Sequence, residues 1–334
     1  MWISAAVPTS KMSSAPSTSS SAFRVVTSAI VESFATASST SWIERSWPTA
    51  SGVIESGKTT SIRDLYYITK HTIGETKQNT FEEQDESDPI IEDLEVAVDA
   101  LREELHLFAS RKGSMVGPIT IRDTGDTIDL RRMGSGGWAV PSIVEANVIE
   151  FVRHEAKYIL LIEKDAVWTR FNEDKFWKRE RCVILQGGGQ PPRGVRRLVQ
   201  RLHSELKLPV YVLVDNDPWG FYIYSVMKQG SINLAYESMR MAVPDARFVG
   251  LSSFDKDAYK LPSNVAIKMD DGDVSRAKQM LAYPWFAAKQ WQREIQEMIR
   301  SGVKFELEAL SRRGISFITE EYLPRKLRDR DWLE

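Results

Sequence analysis

Apolar residues recur along this chain in distinct rhythms, and each rhythm implies a different kind of element. Between 58 and 69, Leu65 and Ile68 follow Arg63 on a helical spacing, behind Thr59, Thr60 or Ser61 as candidate N-caps. After an acidic stretch at 82–88, Ile91, Leu94, Val98, Leu101, Leu105 and Phe108 recur every three or four positions. That spacing predicts an amphipathic helix, opened by Asp88-Pro89 as N-cap and first helical residue. Two short alternating runs, 118–122 and 127–131, joined by Thr124-Gly125-Asp126, predict a hairpin. Helices followed by a small hairpin make a winged-helix-like unit, a shape that often lays one helix in a DNA groove and elsewhere binds only protein.

Gly134-Ser135-Gly136-Gly137 reads as a flexible junction, and beyond it the rhythm changes. Continuous apolar runs at 158–163, 182–185 and 210–214, a fourth at 248–251, and a helical stretch at 198–206 predict a mainly parallel α/β sheet covered on both faces. The first 50 residues follow none of these patterns. They hold 14 Ser and 6 Thr but only five charged residues, Lys11, Arg24, Glu32, Glu44 and Arg45. This segment is expected to be disordered, and serine interrupts any signal-peptide apolar region. The expected organisation is a Ser/Thr-rich tail over 1–52, a winged-helix domain over 53–137 and an α/β domain over 138–334.

Composition narrows the function classes. No apolar run approaches the roughly 20 residues that a membrane-spanning helix needs. The single cysteine, Cys182, excludes an internal disulfide and any multi-Cys zinc site, and its place in an apolar strand suits a small core residue. With 44 basic and 46 acidic residues, a nucleic-acid surface has to be a local patch. His71, His106, His154 and His203 share no metal-ligand spacing. Gly187-Gly188-Gly189 lacks the Gly-Lys-Ser/Thr of a Walker A loop, and Asp270, Asp271 and Asp273 lack the closing Glu of an EF-hand loop.

Ligands of open parallel sheets bind beyond the carboxyl ends of the strands. Glu163 closes one predicted strand, and Asp215 and Asp217 follow another. Pro218-Trp219-Gly220 then forces a turn that brings both aspartates back over the strand tip. Three such acids suit a hard divalent cation, and Mg²⁺ above all, which keeps waters and leaves room for a phosphate. Asp-x-Asp-Pro by itself is equally a turn with its own Asx hydrogen bonds. In Arg63-Asp64-Leu65-Tyr66-Tyr67, the arginine lies one helical turn from Tyr67 and on the same face. A tyrosine hydroxyl is a poor nucleophile until a cation or base assists its deprotonation, and paired helical tyrosines are more ordinarily core residues with a polar tip.

The segments 58–67 (Lys58-Thr59-Thr60-Ser61-Ile62-Arg63-Asp64-Leu65-Tyr66-Tyr67) and 212–220 (Val212-Leu213-Val214-Asp215-Asn216-Asp217-Pro218-Trp219-Gly220) resemble the A subunits of topoisomerase VI. These are the archaeal type IIB DNA topoisomerases, related to the meiotic double-strand-break transesterase. The similarity runs from about residue 56 to 334 and includes 134–141, 171–177, 187–197, 230–236 and 318–333, whereas residues 1–50 depart from the family. The resemblance implies a winged-helix (CAP-like) domain followed by a Toprim domain. Tyr67 is implied as the catalytic tyrosine with Arg63 as its supporting cation, and Glu163, Asp215 and Asp217 as the Mg²⁺ ligands.

The implied reaction is transesterification. Tyr67 attacks a DNA phosphodiester and becomes linked to the 5′ end, and the freed 3′-hydroxyl reverses the step without ATP. The implied partners are double-stranded DNA, a second copy of this chain whose metal site works beside Tyr67 of the first, and a separate ATP-binding B subunit in an A2B2 heterotetramer. The implied location is cytoplasmic, with the nucleoid. Arg193, Arg196, Arg197 and Arg201 cluster on or beside a helix and are candidates for contacts to DNA phosphates, a solvated basic face being the alternative. Two other functions share these residues: the break-forming transesterase, and a non-catalytic DNA-binding or assembly subunit.

Overall fold

A computed structural model of the chain describes residues 58–72, 77, 79–231 and 235–334. The expected tail over 1–52 lies outside these residues, as do 53–57 of the expected first domain and 232–234 of the segment 230–236. Contacts divide the chain into two compact units that meet in sequence between His106 and Leu107.

In the first unit, helix α1 (Ile62–Thr69) starts where Ser61, in extended conformation, accepts a hydrogen bond from the Asp64 N–H at 2.9 Å. Of the three candidate caps, Ser61 is the one that serves. Leu65 and Tyr66 are buried with Phe81, Ile91, Leu101 and Leu105, while Arg63 and Tyr67 point outward. Helix α2 (Gln84–Val98) begins earlier than the sequence suggested. Glu83 occupies the N-cap position, and Pro89 lies inside the helix. Pro89 has no N–H for the Asp85 carbonyl, a loss confined to the second turn. The helix stops at Asp99, which is left-handed with φ 49°. The expected continuation to 108 is therefore absent: Leu101 and Leu105 keep the apolar spacing but are buried from turns.

The second unit contains strands β1 (Ser114–Val116), β2 (Ile119–Asp123), β3 (Asp126–Asp129), β4 (Trp138–Ala139), β5 (Ile149–His154), β6 (Tyr158–Ile162), β7 (Cys182–Gln186), β8 (Val210–Leu213) and β9 (Arg247–Gly250). A six-stranded sheet runs in the order β9-β8-β6-β7-β1-β4. The first four are mutually parallel and are the four strands predicted from apolar runs, while β1 and β4 join antiparallel at one side. Every residue of β6, β7 and β8 is buried, which is why these strands read as continuous rather than alternating apolar runs.

Helix α3 (Asp165–Glu173) supplies Val167, Trp168 and Phe171 to one face, against Leu160, Ile162 and Ile184. On the other face α4 (Arg193–Leu206) and α5 (Pro218–Gln229) bring Val195, Leu198, Leu202 and Phe221 against Ile159, Leu161, Val183 and Leu185. Helices α6 (Asp271–Met280) and α7 (Lys289–Ser301) extend that second layer through Ala277, Met280, Trp291 and Ile295.

The predicted hairpin forms between β2 and β3, but β2 also pairs along its length with β5, from Ile119↔His154 to Asp123↔Ile149. The hairpin thus belongs to a three-stranded sheet of the second unit, and the expected boundary after Gly137 does not coincide with the division at His106. Nor is 134–137 a free junction. Asn172 Nδ2 donates to the carbonyls of Gly134 and Ser135 at 2.9 and 3.0 Å, and a Cβ on Gly137 would strike the Trp168 ring. Among the described residues no helix is long and apolar enough to cross a membrane.

Candidate active site

The two tyrosines of α1 have opposite environments. Tyr66 is buried, its hydroxyl donates to the Glu82 carbonyl at 2.8 Å, and Lys70 Nζ donates to that hydroxyl at 2.8 Å. Its ring also packs on Phe81. Tyr67 is 60% exposed, and its hydroxyl has no hydrogen-bond partner among the described residues. The helical repeat explains the contrast, because Leu65, Tyr66 and Thr69 face the core while Arg63 and Tyr67, four apart, share the outer face. The Tyr66 hydroxyl is engaged within the fold, and the Tyr67 side chain is exposed.

The acids assemble at the carboxyl ends of β6 and β8, neighbours in the sheet. Glu163 follows β6, and its Oε2 accepts the Asp215 N–H at 2.9 Å. Asp215 follows β8 and is only 4% exposed. Its Oδ1 accepts the Leu307 N–H at 2.8 Å, and its Oδ2 pairs with Lys164 Nζ at 2.8 Å. Asp217 serves differently: it is the N-cap of α5, and its Oδ1 accepts the Gly220 N–H at 2.6 Å. Gly220 is required there, because a Cβ at that position would collide with the Asp215 carbonyl oxygen.

Among the described residues no three His, Cys, Asp or Glu side chains are gathered closely enough to hold a metal ion. Of the three expected acids, Glu163 and Asp215 are linked by a hydrogen bond, and Asp217 caps its helix through one oxygen while its negative charge still acts on both of them.

The loop between the two aspartates is fixed from below. Asn216 is fully buried and exchanges backbone hydrogen bonds with Phe305 at 2.9 and 3.0 Å. Its Nδ2 donates to Glu294 Oε1 at 3.1 Å. Glu294, on α7 and 2% exposed, also accepts from the Ser253 N–H and the Ser252 hydroxyl. Burial raises the Glu294 carboxyl, and the donors around it oppose that rise. Replacing Glu294 by Leu strands these buried donors and is expected to cost about 3 kcal/mol. Thermal denaturation should register this as a fall of roughly 6–12 °C in Tm. A change within about 1 °C would mean that the loop is held by its backbone alone.

Glu163 and Asp215 are both held above the ordinary carboxylate range. Burial pushes Glu163 up to about 7, and the negative charge of Asp215 adds to the rise. Burial likewise pushes Asp215 up to about 6, against the hydrogen bonds of Lys164 and the Leu307 N–H. Burial raises Asp217 as well. Two crowded, desolvated carboxylates on adjacent strands match the one or two protein oxygens that Mg²⁺ takes while retaining its waters. The ammonium already seated on Asp215 shows that positive charge is accepted there. The residues present therefore fit the ion.

A pH dependence follows. The folded-state values of Glu163 and Asp215 lie above the roughly 4.3 and 3.9 of exposed Glu and Asp, so their protonation favours the folded chain at low pH. That contribution is lost as pH rises through about 6 to about 7. A bound cation reverses the penalty. Added Mg²⁺ is expected to raise Tm more at about pH 8 than at about pH 5. Equal gains at the two pH values would contradict the assignment of these carboxyls.

The arginines have structural partners. Arg193 and the buried Arg196 both pair with the fully buried Glu237. Arg197 pairs with Glu145 at 2.6 Å and donates to the Arg240 carbonyl. Arg201 donates to the Val144 and Ile149 carbonyls and pairs with Glu205. Each of these four arginines thus has an acidic or carbonyl partner within the fold. Asp270 and Asp273 form a capping box at the start of α6, which explains that acidic run. The sequence reading missed Lys164, Glu294, Glu306 and Glu308. The only local signals were a lysine directly after a strand-end acid and two glutamates flanking one apolar residue.

Three family models match the chain in succession. Residues 49–107 match the model described as type IIB DNA topoisomerase, and 112–155 match the all-beta domain of the DNA topoisomerase VI alpha subunit. Residues 158–327 match the Toprim domain shared by the topoisomerase 6 A subunit and Spo11. The chain is 45% identical to the A subunit of type 2 DNA topoisomerase 6 from Pyrococcus horikoshii, over 83% of this chain and 74% of that one. It is 43% identical to the protein of the same name in Hyperthermus butylicus, over 84% and 76%. With the A subunit of DNA topoisomerase 6 from Arabidopsis thaliana the identity is 36%, over 80% and 62%.

Proposed function

The chain belongs to the family of topoisomerase VI A subunits, the DNA-cleaving subunits of type IIB DNA topoisomerases, and from that premise we propose that Tyr67 is the nucleophile that cuts and rejoins DNA. The observation that carries the assignment within the tyrosine pair is the exposure of Tyr67 beside a Tyr66 whose hydroxyl is already bonded. The Tyr67 oxygen attacks a backbone phosphorus, the 3′ oxygen leaves with a proton, and a 5′-phosphotyrosyl link forms. The 3′-hydroxyl attacks that link in the reverse step. One ester replaces another, so rejoining needs no nucleotide. Arg63, on the same outer face, supplies positive charge beside the attacking oxygen.

Glu163 and Asp215 would hold Mg²⁺, with Asp217 beside them at the start of α5. When bound, the ion supplies positive charge to the phosphate and to the leaving oxygen. The helices before residue 107 act as the winged-helix-type DNA-contacting module. That assignment rests on the family, since the 119–129 hairpin pairs with β5 of the second unit. The partners are DNA, a second copy of this chain whose acids serve with Tyr67 of the first, and an ATP-binding subunit in an A2B2 assembly.

The test is reconstitution with an ATPase subunit of the type VI enzymes, supercoiled plasmid, ATP and Mg²⁺. The expected result is relaxed plasmid, with denaturant releasing double-strand breaks that carry protein on both 5′ ends. Breaks without rejoining would favour the break-forming transesterase, and neither product would favour a non-catalytic subunit.

A further inference from the structure

The acidic cleft already contains a cation of its own. Lys164 directly follows Glu163, so the end of β6 fixes its backbone, and it forms the N-cap position of α3. Its ammonium lies 2.8 Å from Asp215 Oδ2, 2.9 Å from Glu308 Oε2 and 3.4 Å from Glu306 Oε2.

The two glutamates are placed there by construction. Phe305 pairs through its backbone with Asn216, and the Leu307 N–H donates to Asp215 Oδ1, so the segment 305–307 is tied to the loop that carries Asp215. Leu307 is buried at 1% exposure and anchors the segment. Glu306 and Glu308, on either side of it, remain about half exposed, at 53% and 45% of their side chains. One ammonium is therefore shared among a buried carboxylate, the one proposed to hold Mg²⁺, and two outer carboxylates.

We propose that Lys164 is a resident counter-cation and positioning residue: it holds Asp215 until a divalent ion takes that carboxylate, and Glu306 and Glu308 then retain its ammonium. This rests on the reading of Glu163 and Asp215 as the metal pair. The exchange costs little because the ammonium keeps two of its three carboxylates when it leaves Asp215. Divalent affinity is then set by a competition, and by linkage the cation on Asp215 and the cation from solution weaken each other equally.

The experiment measures Mn²⁺ binding to the DNA-free chain by the electron paramagnetic resonance of free Mn²⁺, with Tm recorded for every variant. Lys164→Met removes the competitor and is expected to tighten Mn²⁺ by about tenfold. The double variant Glu306→Gln, Glu308→Gln leaves the ammonium no alternative to Asp215 and is expected to weaken Mn²⁺ by about tenfold. In the Lys164→Met background the same pair of glutamines should have only a small effect, because they act through Lys164.

A purely structural lysine would lower Tm and leave Mn²⁺ affinity alone, and a purely additive charge effect would give the glutamines equal weight in both backgrounds. Either result overturns the exchange. If Lys164→Met does not fold, the outer glutamine pair decides: unchanged affinity refutes the proposal. Glu163→Ala separates the underlying reading. If it leaves Mn²⁺ binding intact, the metal pair itself is wrong. If it abolishes binding while Lys164→Met changes nothing, only the exchange fails.

Discussion

Tyr67→Phe is expected to eliminate the covalent protein–DNA adduct, lowering its yield at least about 10⁴-fold, because the substitution removes the attacking oxygen and little else. Tyr67 is 60% exposed and its hydroxyl bonds nothing among the described residues, so Tm and DNA affinity should remain at the parent values. Tyr66→Phe is the informative companion. It removes a hydroxyl that donates to Glu82 and accepts from Lys70, which should cost about 1 kcal/mol of stability while the adduct still forms. Trapping with denaturant in the presence of Mg²⁺, followed by gel analysis of labelled DNA, reads both variants. Loss of the adduct in Tyr66→Phe and its survival in Tyr67→Phe would reverse the assignment within the pair.

Substitutions at the acidic pair should act through the cation. Glu163→Gln and Asp215→Asn each remove a unit of negative charge from a two-carboxylate site, and each is expected to raise the Mg²⁺ concentration for half-maximal cleavage about 100-fold or more. Asp217→Asn should be milder. The Asp217 oxygen is occupied by the Gly220 N–H at 2.6 Å, a bond that an asparagine oxygen also accepts. Mg²⁺ titration of cleavage on one DNA substrate ranks the three. A Glu163→Gln protein with the parent requirement would contradict the pairing across β6 and β8, and an Asp217 effect as large as the other two would put Asp217 on the ion as well.

The sheet was legible because full burial of β6, β7 and β8 on both faces leaves near-continuous apolar runs rich in Val, Ile and Leu. The acids were legible for a related reason, since a carboxylate that ends such a run stands at the strand tip, where ligands of parallel sheets bind. Other features depended on partners far away in sequence. The extent of α2 turned on Asp99 adopting a left-handed conformation, which no apolar spacing reports. The fate of the hairpin turned on β5, whose mostly exposed residues carry little signal. The ion pairs of Arg193, Arg196 and Arg197 could not be read from the sequence, because Glu237 and Glu145, the acids they meet, lie some 40 to 50 residues away in the chain. Lys164 was visible as a residue, but its role required Glu306 and Glu308 from the other end of the unit.

The central claim is a 5′-phosphotyrosyl bond at one residue, and it can be read directly. Cleavage complexes trapped with denaturant, digested with nuclease and protease, and sequenced by tandem mass spectrometry should yield the peptide around 62–69 carrying a nucleotide through its 5′ phosphate on Tyr67. A nucleotide on Tyr66, on any residue outside that helix, or attached through a 3′ phosphate would contradict the account.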